Sequence, residues 1–210
     1  MNPILILDYA GIAVFAATGA LAASRKQLDI IGFLFFAAFT GVGGGTVRDL
    51  ILGVPVFWVA NPDYLVICVV TAVIVYFTAF LLESRYRLLL WLDALGLAAY
   101  CVFGAWKALE ATGSPVIAVV MGVITASFGG ILRDQLAGEP CILLRPEIYI
   151  TAALAGAAIY TGLDLAGLPL MWAAVPAAIV AFAIRGGALK FGWSFPPYKG
   201  RPGRKPEDIP

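Results

Sequence analysis

The chain has 210 residues, is 61% hydrophobic and only 13% charged, with a formal net charge of +1, whereas a soluble domain is about 25% charged. So little polar surface cannot cover a globule in water, and a balanced charge offers no basic face for nucleic acid, so lipid is the expected partner and nucleic acid is not. Histidine is absent, which excludes His-based acid/base catalysis and HExxH zinc centres; Cys68, Cys101 and Cys141 stand singly, without a CxxC pair. No catalytic set, metal site or cofactor is therefore expected.

A membrane helix needs about 20 mostly apolar residues. The first candidate covers residues 3–23; no Lys or Arg precedes it, so it reads as a membrane helix rather than a cleaved signal. Ser24-Arg25-Lys26-Gln27 ends it. The second span, 29–52, contains Thr40 and the run Gly43-Gly44-Gly45-Thr46-Val47-Arg48-Asp49. The third, 63–83, follows Asn61-Pro62. The fourth, 88–108, contains Tyr100 and Lys107. The fifth, 115–137, carries Thr125, Ser127, Phe128, Gly129, Gly130, Arg133 and Asp134. The sixth and seventh cover 147–163 and 168–189. Each joint contains Pro, Gly or charge. Residues 1–190 form one transmembrane domain, and 191–210 read as a polar, disordered cytoplasmic tail.

Twelve of the 14 Lys and Arg residues fall on the side shared by the first, third and fifth joints and the C-terminus. Only Arg48 and Lys107 fall toward the other side. The positive-inside rule then places the N-terminus outside and the C-terminus in the cytoplasm.

A shift of 85 residues superposes two halves: Leu7-Asp8 on Leu92-Asp93, Gly11 on Gly96, Thr40 on Thr125, Gly44-Gly45 on Gly129-Gly130, Arg48-Asp49 on Arg133-Asp134, Gly53 on Gly138 and Pro55 on Pro140. Three crossings reverse direction, so the second copy (residues 88–163) enters upside down relative to the first (3–83). The expected fold is all-α, with two inverted three-helix repeats plus one extra helix, an arrangement that puts the functional path at the repeat interface.

Consecutive glycines cost a helix on the order of 1 kcal/mol each relative to Ala. The second and fifth helices are therefore expected to be broken or kinked at Gly43, Gly44, Gly45, Gly129 and Gly130, with freed backbone groups facing protein or a wet cavity. Charges at membrane depth need partners. Two symmetry-related ion pairs, Asp8–Arg48 and Asp93–Arg133, are expected. Asp49 and Asp134 are placed just after the breaks, where a carboxylate suits the helix dipole. Thr40, Thr125 and Ser127 either line a polar path or bond back to backbone carbonyls. Tyr100 and Lys107 are further pore candidates; Lys107 is also placed to snorkel to the outer interface.

The duplicated Gly-Gly-x-x-Arg-Asp on the second and fifth spans, in a three-plus-three-plus-one pattern, resembles the prokaryotic trimeric intracellular cation channels, a family also catalogued as glycine transporters. The resemblance covers residues 3–190. It implies a homotrimer in the inner membrane, with one path for monovalent cations such as K⁺ or Na⁺ inside each protomer, between the two kinked helices. It puts the kinks at Gly43, Gly44, Gly45, Gly129 and Gly130, and the charged motif at Arg48, Asp49, Arg133 and Asp134. Phe128 stands where Gly43 stands in the other half, which implies a tighter or ring-gated second break. A passive cation channel and a secondary transporter of a small solute such as glycine both fit this pattern. An enzyme does not, for want of a constellation of acid, base or nucleophile.

Overall fold

The computed structural model describes residues 3–82, 84–144, 147–196 and 198. Glu83, Arg145, Pro146 and the basic residues from Lys199 onward lie outside the described residues. Within them the chain is helical: α1 Pro3–Arg25, α2 Ile30–Leu52, α3 Phe57–Ala60, α4 Asp63–Thr78, α5 Arg85–Thr112, α6 Pro115–Leu136, α7 Ile150–Leu165 and α8 Leu170–Phe191. A 3₁₀ turn, Ala79–Leu81, prolongs α4. The seven long helices fall on the seven expected spans. Among the described residues, five of these helices are long and apolar enough to cross a membrane: α2, α4 with its 3₁₀ turn, α5, α6 and α8. The four-residue α3 was not expected.

Local chemistry sets the ends. Asp29 caps α2 by accepting from the Gly32 N–H at 2.8 Å, and Ser84 caps α5 through the Arg87 N–H at 3.2 Å. Just past α2 and α6, the repeat-related Gly53 and Gly138 turn the chain at φ 66° and 59°, a conformation suited to glycine. Beyond α8 the chain turns back: Ser194 pairs with Glu147 as an isolated antiparallel bridge.

α1, α2 and α4 pack on one another, and so do α5, α6 and α7. The halves meet chiefly where α1 crosses α5 and α2 crosses α6, each crossing joining repeat-related helices. α8 packs on α5 and α7. The crossings are reciprocal in detail. Gly11 makes room for the Tyr100 ring, and its counterpart Gly96 makes room for the Phe15 ring. Phe15 and Tyr100 are themselves repeat mates, 5.5 Å apart between ring centroids.

The expected helix breaks are not found. α2 and α6 run as continuous α-helix through Gly43–Gly45 and Gly129–Gly130, with no break at either run. The glycines serve close approach instead. A Cβ on Gly44 would strike the Thr125 carbonyl oxygen, and a Cβ on Gly129 would strike the Thr40 carbonyl oxygen. The helices stay whole because an interrupted helix in lipid must find other partners for its freed backbone groups.

Candidate functional site

The α2–α6 crossing encloses a small cavity lined by Thr40, Gly44, Arg48, Tyr100, Thr125 and Gly129, with Asp8 at its wall. Its volume is ≈ 10 Å³, about the space of a single water. Two buried polar atoms of its lining have no protein partner: Thr40 Oγ1 and Arg48 Nη1. The other two hydroxyls bond backward, Thr125 to the Met121 carbonyl at 2.6 Å and Ser127 to the Val123 carbonyl at 2.7 Å. Of Thr40, Thr125 and Ser127, only Thr40 has a hydroxyl without a hydrogen-bond partner among the described residues. Phe128 is half-buried and lies outside the cavity lining, as does Gly43, which meets Leu132 and Gly129.

The charged motif is wired the same way in both halves. Arg48 Nε donates to Asp49 Oδ1 at 2.8 Å, and Arg133 Nε to Asp134 Oδ1 at 3.0 Å. Eight residues beyond each Asp, a backbone N–H donates to its other oxygen: Phe57 to Asp49 and Ile142 to Asp134, both at 2.9 Å. These N–H groups open α3 and the 3₁₀ turn Ile142–Leu144. Each Asp therefore ties the loop after its helix back to the neighbouring Arg. The expected dipole role does not hold. Asp49 lies near the C-terminal end of unbroken α2, where a carboxylate is disfavoured. Arg48, the Phe57 N–H and Lys107 offset this; the Lys107 ammonium sits 3.3 Å from Asp49 Oδ1. Lys107 is thus a partner of the motif rather than a free snorkelling side chain.

Beyond that shared wiring the halves part. Asp93 meets Arg133 at 2.7 Å, with both side chains buried. Asp8 makes no ion pair with Arg48. Its carboxylate accepts instead from the Tyr64 hydroxyl and, at 2.7 Å, from the Tyr100 hydroxyl. Both tyrosines come from other helices, α4 and α5, and reach Asp8 before Arg48 can.

The two charged clusters lie far apart. Asp8 belongs to the first, whereas Arg25, at the far end of the same helix, pairs with Glu139 at 2.9 Å beside Arg133 and Asp134. Seventeen residues of α-helix separate Asp8 from Arg25, about 25 Å. Gly130 sits among Asp93, Arg133 and Tyr149, and Gly45 against Phe57. One buried cation was not anticipated as a site: Arg185 on α8 is fully buried and pairs with Glu147 at 3.0 Å. It lies outside the duplicated segment, so no repeat mate drew attention to it.

The family model described as "Glycine transporter" matches residues 5–79 and 90–164, two copies set 85 residues apart, as the internal repeat requires. The UPF0126 inner membrane protein YadS of Escherichia coli (strain K12) is 41% identical over 198 residues, covering 91% of this chain and 94% of that protein. A UPF0126 membrane protein of Vibrio cholerae is 38% identical over 92% of this chain and 82% of its own length. Among solved structures, the TRIC trimeric intracellular cation channel orthologue from Rhodobacter sphaeroides superposes with a TM-score of 0.89 at 52% identity, over 92% of this chain and 100% of that one. A prokaryotic TRIC channel crystallised in 0.5 M KCl superposes with a TM-score of 0.84 at 28% identity, over 93% and 100%. The chain therefore belongs to the trimeric intracellular cation channel family, whose sequence model carries the description of glycine transporter.

Proposed function

We propose that this protein is a homotrimeric channel for monovalent cations, K⁺ foremost, with one path in each protomer between α2 and α6. The observation that carries the reading is the polar cavity at the α2–α6 crossing, found in a chain 52% identical to a solved cation channel orthologue. Its acceptors are the Asp8 carboxylate and the Thr40 hydroxyl, while the Arg48 charge is engaged by Asp49. Thr40 Oγ1, without a protein partner, is the atom best placed to meet a passing cation or its water. The contacts of Gly44 and Gly129 with the opposed carbonyls leave no room for a hydrated ion, so this form is closed. Conduction requires α2 and α6 to part there.

The remaining features of the reading follow from the sequence. The two halves are inverted in the membrane, α8 is the added seventh span, the N-terminus faces outward and the C-terminus the cytoplasm. The 25 Å separation of the two charged clusters along α1 supports the inversion, because each half then presents its motif near a different face. The protein needs no cofactor beyond the permeant ion.

Single-channel recording of purified protein in a planar bilayer tests the reading. The expected result is K⁺ current without saturation at millimolar gradients. The description attached to the family model favours a second reading, a glycine transporter. If no K⁺ current appears while labelled glycine accumulates in liposomes at a saturable, gradient-coupled rate, the channel reading is wrong.

A further inference from the structure

A second cavity opens on the outer surface of the helix bundle, between α5 and α8. It is an apolar groove of ≈ 230 Å³ walled by Val102 and Trp106 on one side and Met171, Ala174, Val175 and Ala178 on the other. An apolar cavity of about 150 Å³ is enough to hold a benzene molecule. Met171 and Val175 are 46% and 47% exposed, so the groove is open to whatever surrounds α8.

The groove is not separate from the polar cavity. Asp8, Tyr100 and Phe103 line both. A molecule in the groove would therefore touch the same carboxylate that walls the α2–α6 crossing. Among the described residues that line the groove, Asp8 is the one charged residue, and no Lys or Arg joins it. A phosphate or carboxylate headgroup would meet the Asp8 carboxylate first, because the nearest cations, Arg48 and Lys107, lie outside the groove lining and are engaged by Asp49. A cation would meet the Asp8 carboxylate beside the aromatic side chains of Trp106 and Tyr100, and aromatic rings attract ammonium groups. Asp8 already accepts from Tyr64 and Tyr100. A carboxylate offers about four lone-pair sites, so acceptor capacity is left for an incoming N–H or an ammonium charge.

We propose that this groove is a binding site, reached from the lipid, for amphiphiles with an alkylammonium head and a short apolar chain. The head sits against Asp8 and the aromatic rings, and the chain lies along Met171, Ala174 and Ala178. Any effect of the occupant on ion flow rests on the path proposed above, because the shared wall is what would carry it.

The test uses the full-length protein in lipid nanodiscs and a photoreactive decylammonium probe, with labelled peptides mapped by mass spectrometry. Label is expected on α5 and α8 around Val102, Met171 and Val175. Unlabelled decyltrimethylammonium should compete about tenfold better than decanol, a difference of about 1.4 kcal/mol. Asp8→Asn should remove that preference while a neutral decyl probe still labels the groove, which also shows that the variant is folded. Ala178→Leu, which fills the groove without touching Asp8, should remove both labels. Label spread evenly over all lipid-facing helices, or equal competition by decanol, would overturn the proposal. K⁺ flux measured in parallel separates the two readings. Specific labelling with no block of flux leaves the site standing and counts against the path between α2 and α6.

Discussion

In the first half of the molecule Asp8 is held by two tyrosine hydroxyls, and in the second its mate Asp93 is held by a buried arginine. The residues that begin the two arrangements are the same, Asp and Arg at one register. The difference comes from the repeat mates Phe15 and Tyr100, which meet where α1 crosses α5. Tyr100 faces Asp8, but its mate is Phe15, which has no hydroxyl to offer Asp93. With no tyrosine at that position, Arg133 turns one arm to Asp93 and keeps its other nitrogens on Asp134. With the tyrosine there, Arg48 turns wholly to Asp49 and leaves Nη1 without a partner in the cavity. Duplication thus preserved the scaffold of crossings and loop ties, while one aromatic substitution made one charged cluster a hydroxyl network and the other an ion pair.

The largest expected effect tests that contrast directly. Arg133→Met leaves Asp93 buried with no cation, and breaking a buried pair from one side costs about 3–5 kcal/mol. Arg48→Met leaves Asp49 with Lys107 and the Phe57 N–H, and Asp8 with its tyrosines, so it should cost about 1–2 kcal/mol. Thermal unfolding in detergent reads the difference, at about 2–4 °C per kcal/mol for a chain of this size. Equal shifts for the two variants would mean that the halves are wired alike after all.

The glycine contacts come next, and here symmetry predicts equality. Gly44→Ala and Gly129→Ala each drive a methyl into a backbone carbonyl that cannot rotate aside. Each should cost about 3 kcal/mol, the upper end for overpacking. A variant tolerated on one side alone would show that only the other helix makes the close contact. In liposome flux assays both should raise K⁺ permeation, because the added methyl destabilises the closed contact and favours the parted crossing that the proposed path needs.

Much of this was legible in the sequence because duplication writes every feature twice. The 85-residue register located the helices, the motif and the glycines of close approach. Two features were misread, for one physical reason: sequence shows which groups are close along the chain but not which competitor arrives first. The break at Gly43–Gly45 was inferred from helix propensity and from the Arg48-Asp49 pair that follows. Propensity is worth about 1 kcal/mol per glycine, less than freed backbone groups cost in lipid. Asp8 was paired with Arg48 by height in the membrane, and Tyr64 and Tyr100 intervened from helices that nothing local ties to Asp8. The loop ties of Asp49 and Asp134 left a faint signal, since a Gly-x-Pro turn follows each Asp at the same spacing and returns a backbone N–H to it. Arg185 left none, being a single copy.

Smaller effects sharpen the comparison at the axis itself. Tyr100→Phe makes the first half resemble the second. Asp8 keeps Tyr64 but loses the Tyr100 donor, at a cost of about 1.5 kcal/mol, the low end for a hydrogen bond to a charged group. The loss should be partly recovered if Arg48, whose Nη1 is unengaged, swings to Asp8. A double variant with Arg48→Met would then cost more than the sum of its parts.

The reverse change is the smallest and the most discriminating. Phe15 packs on Gly96 as Tyr100 packs on Gly11, so Phe15→Tyr should aim a hydroxyl toward Asp93 as Tyr100 aims its own toward Asp8. Asp93 Oδ2 is buried and has no hydrogen-bond partner. A new donor there should stabilise the fold by about 0.5–1.5 kcal/mol, an unusual sign for adding a polar atom to a buried site. The gain depends on Asp93 and should vanish in an Asp93→Ala background. If Phe15→Tyr destabilises the protein with Asp93 present, the hydroxyl finds no acceptor, and the two-fold relation between the rings does not extend to the carboxylates they face.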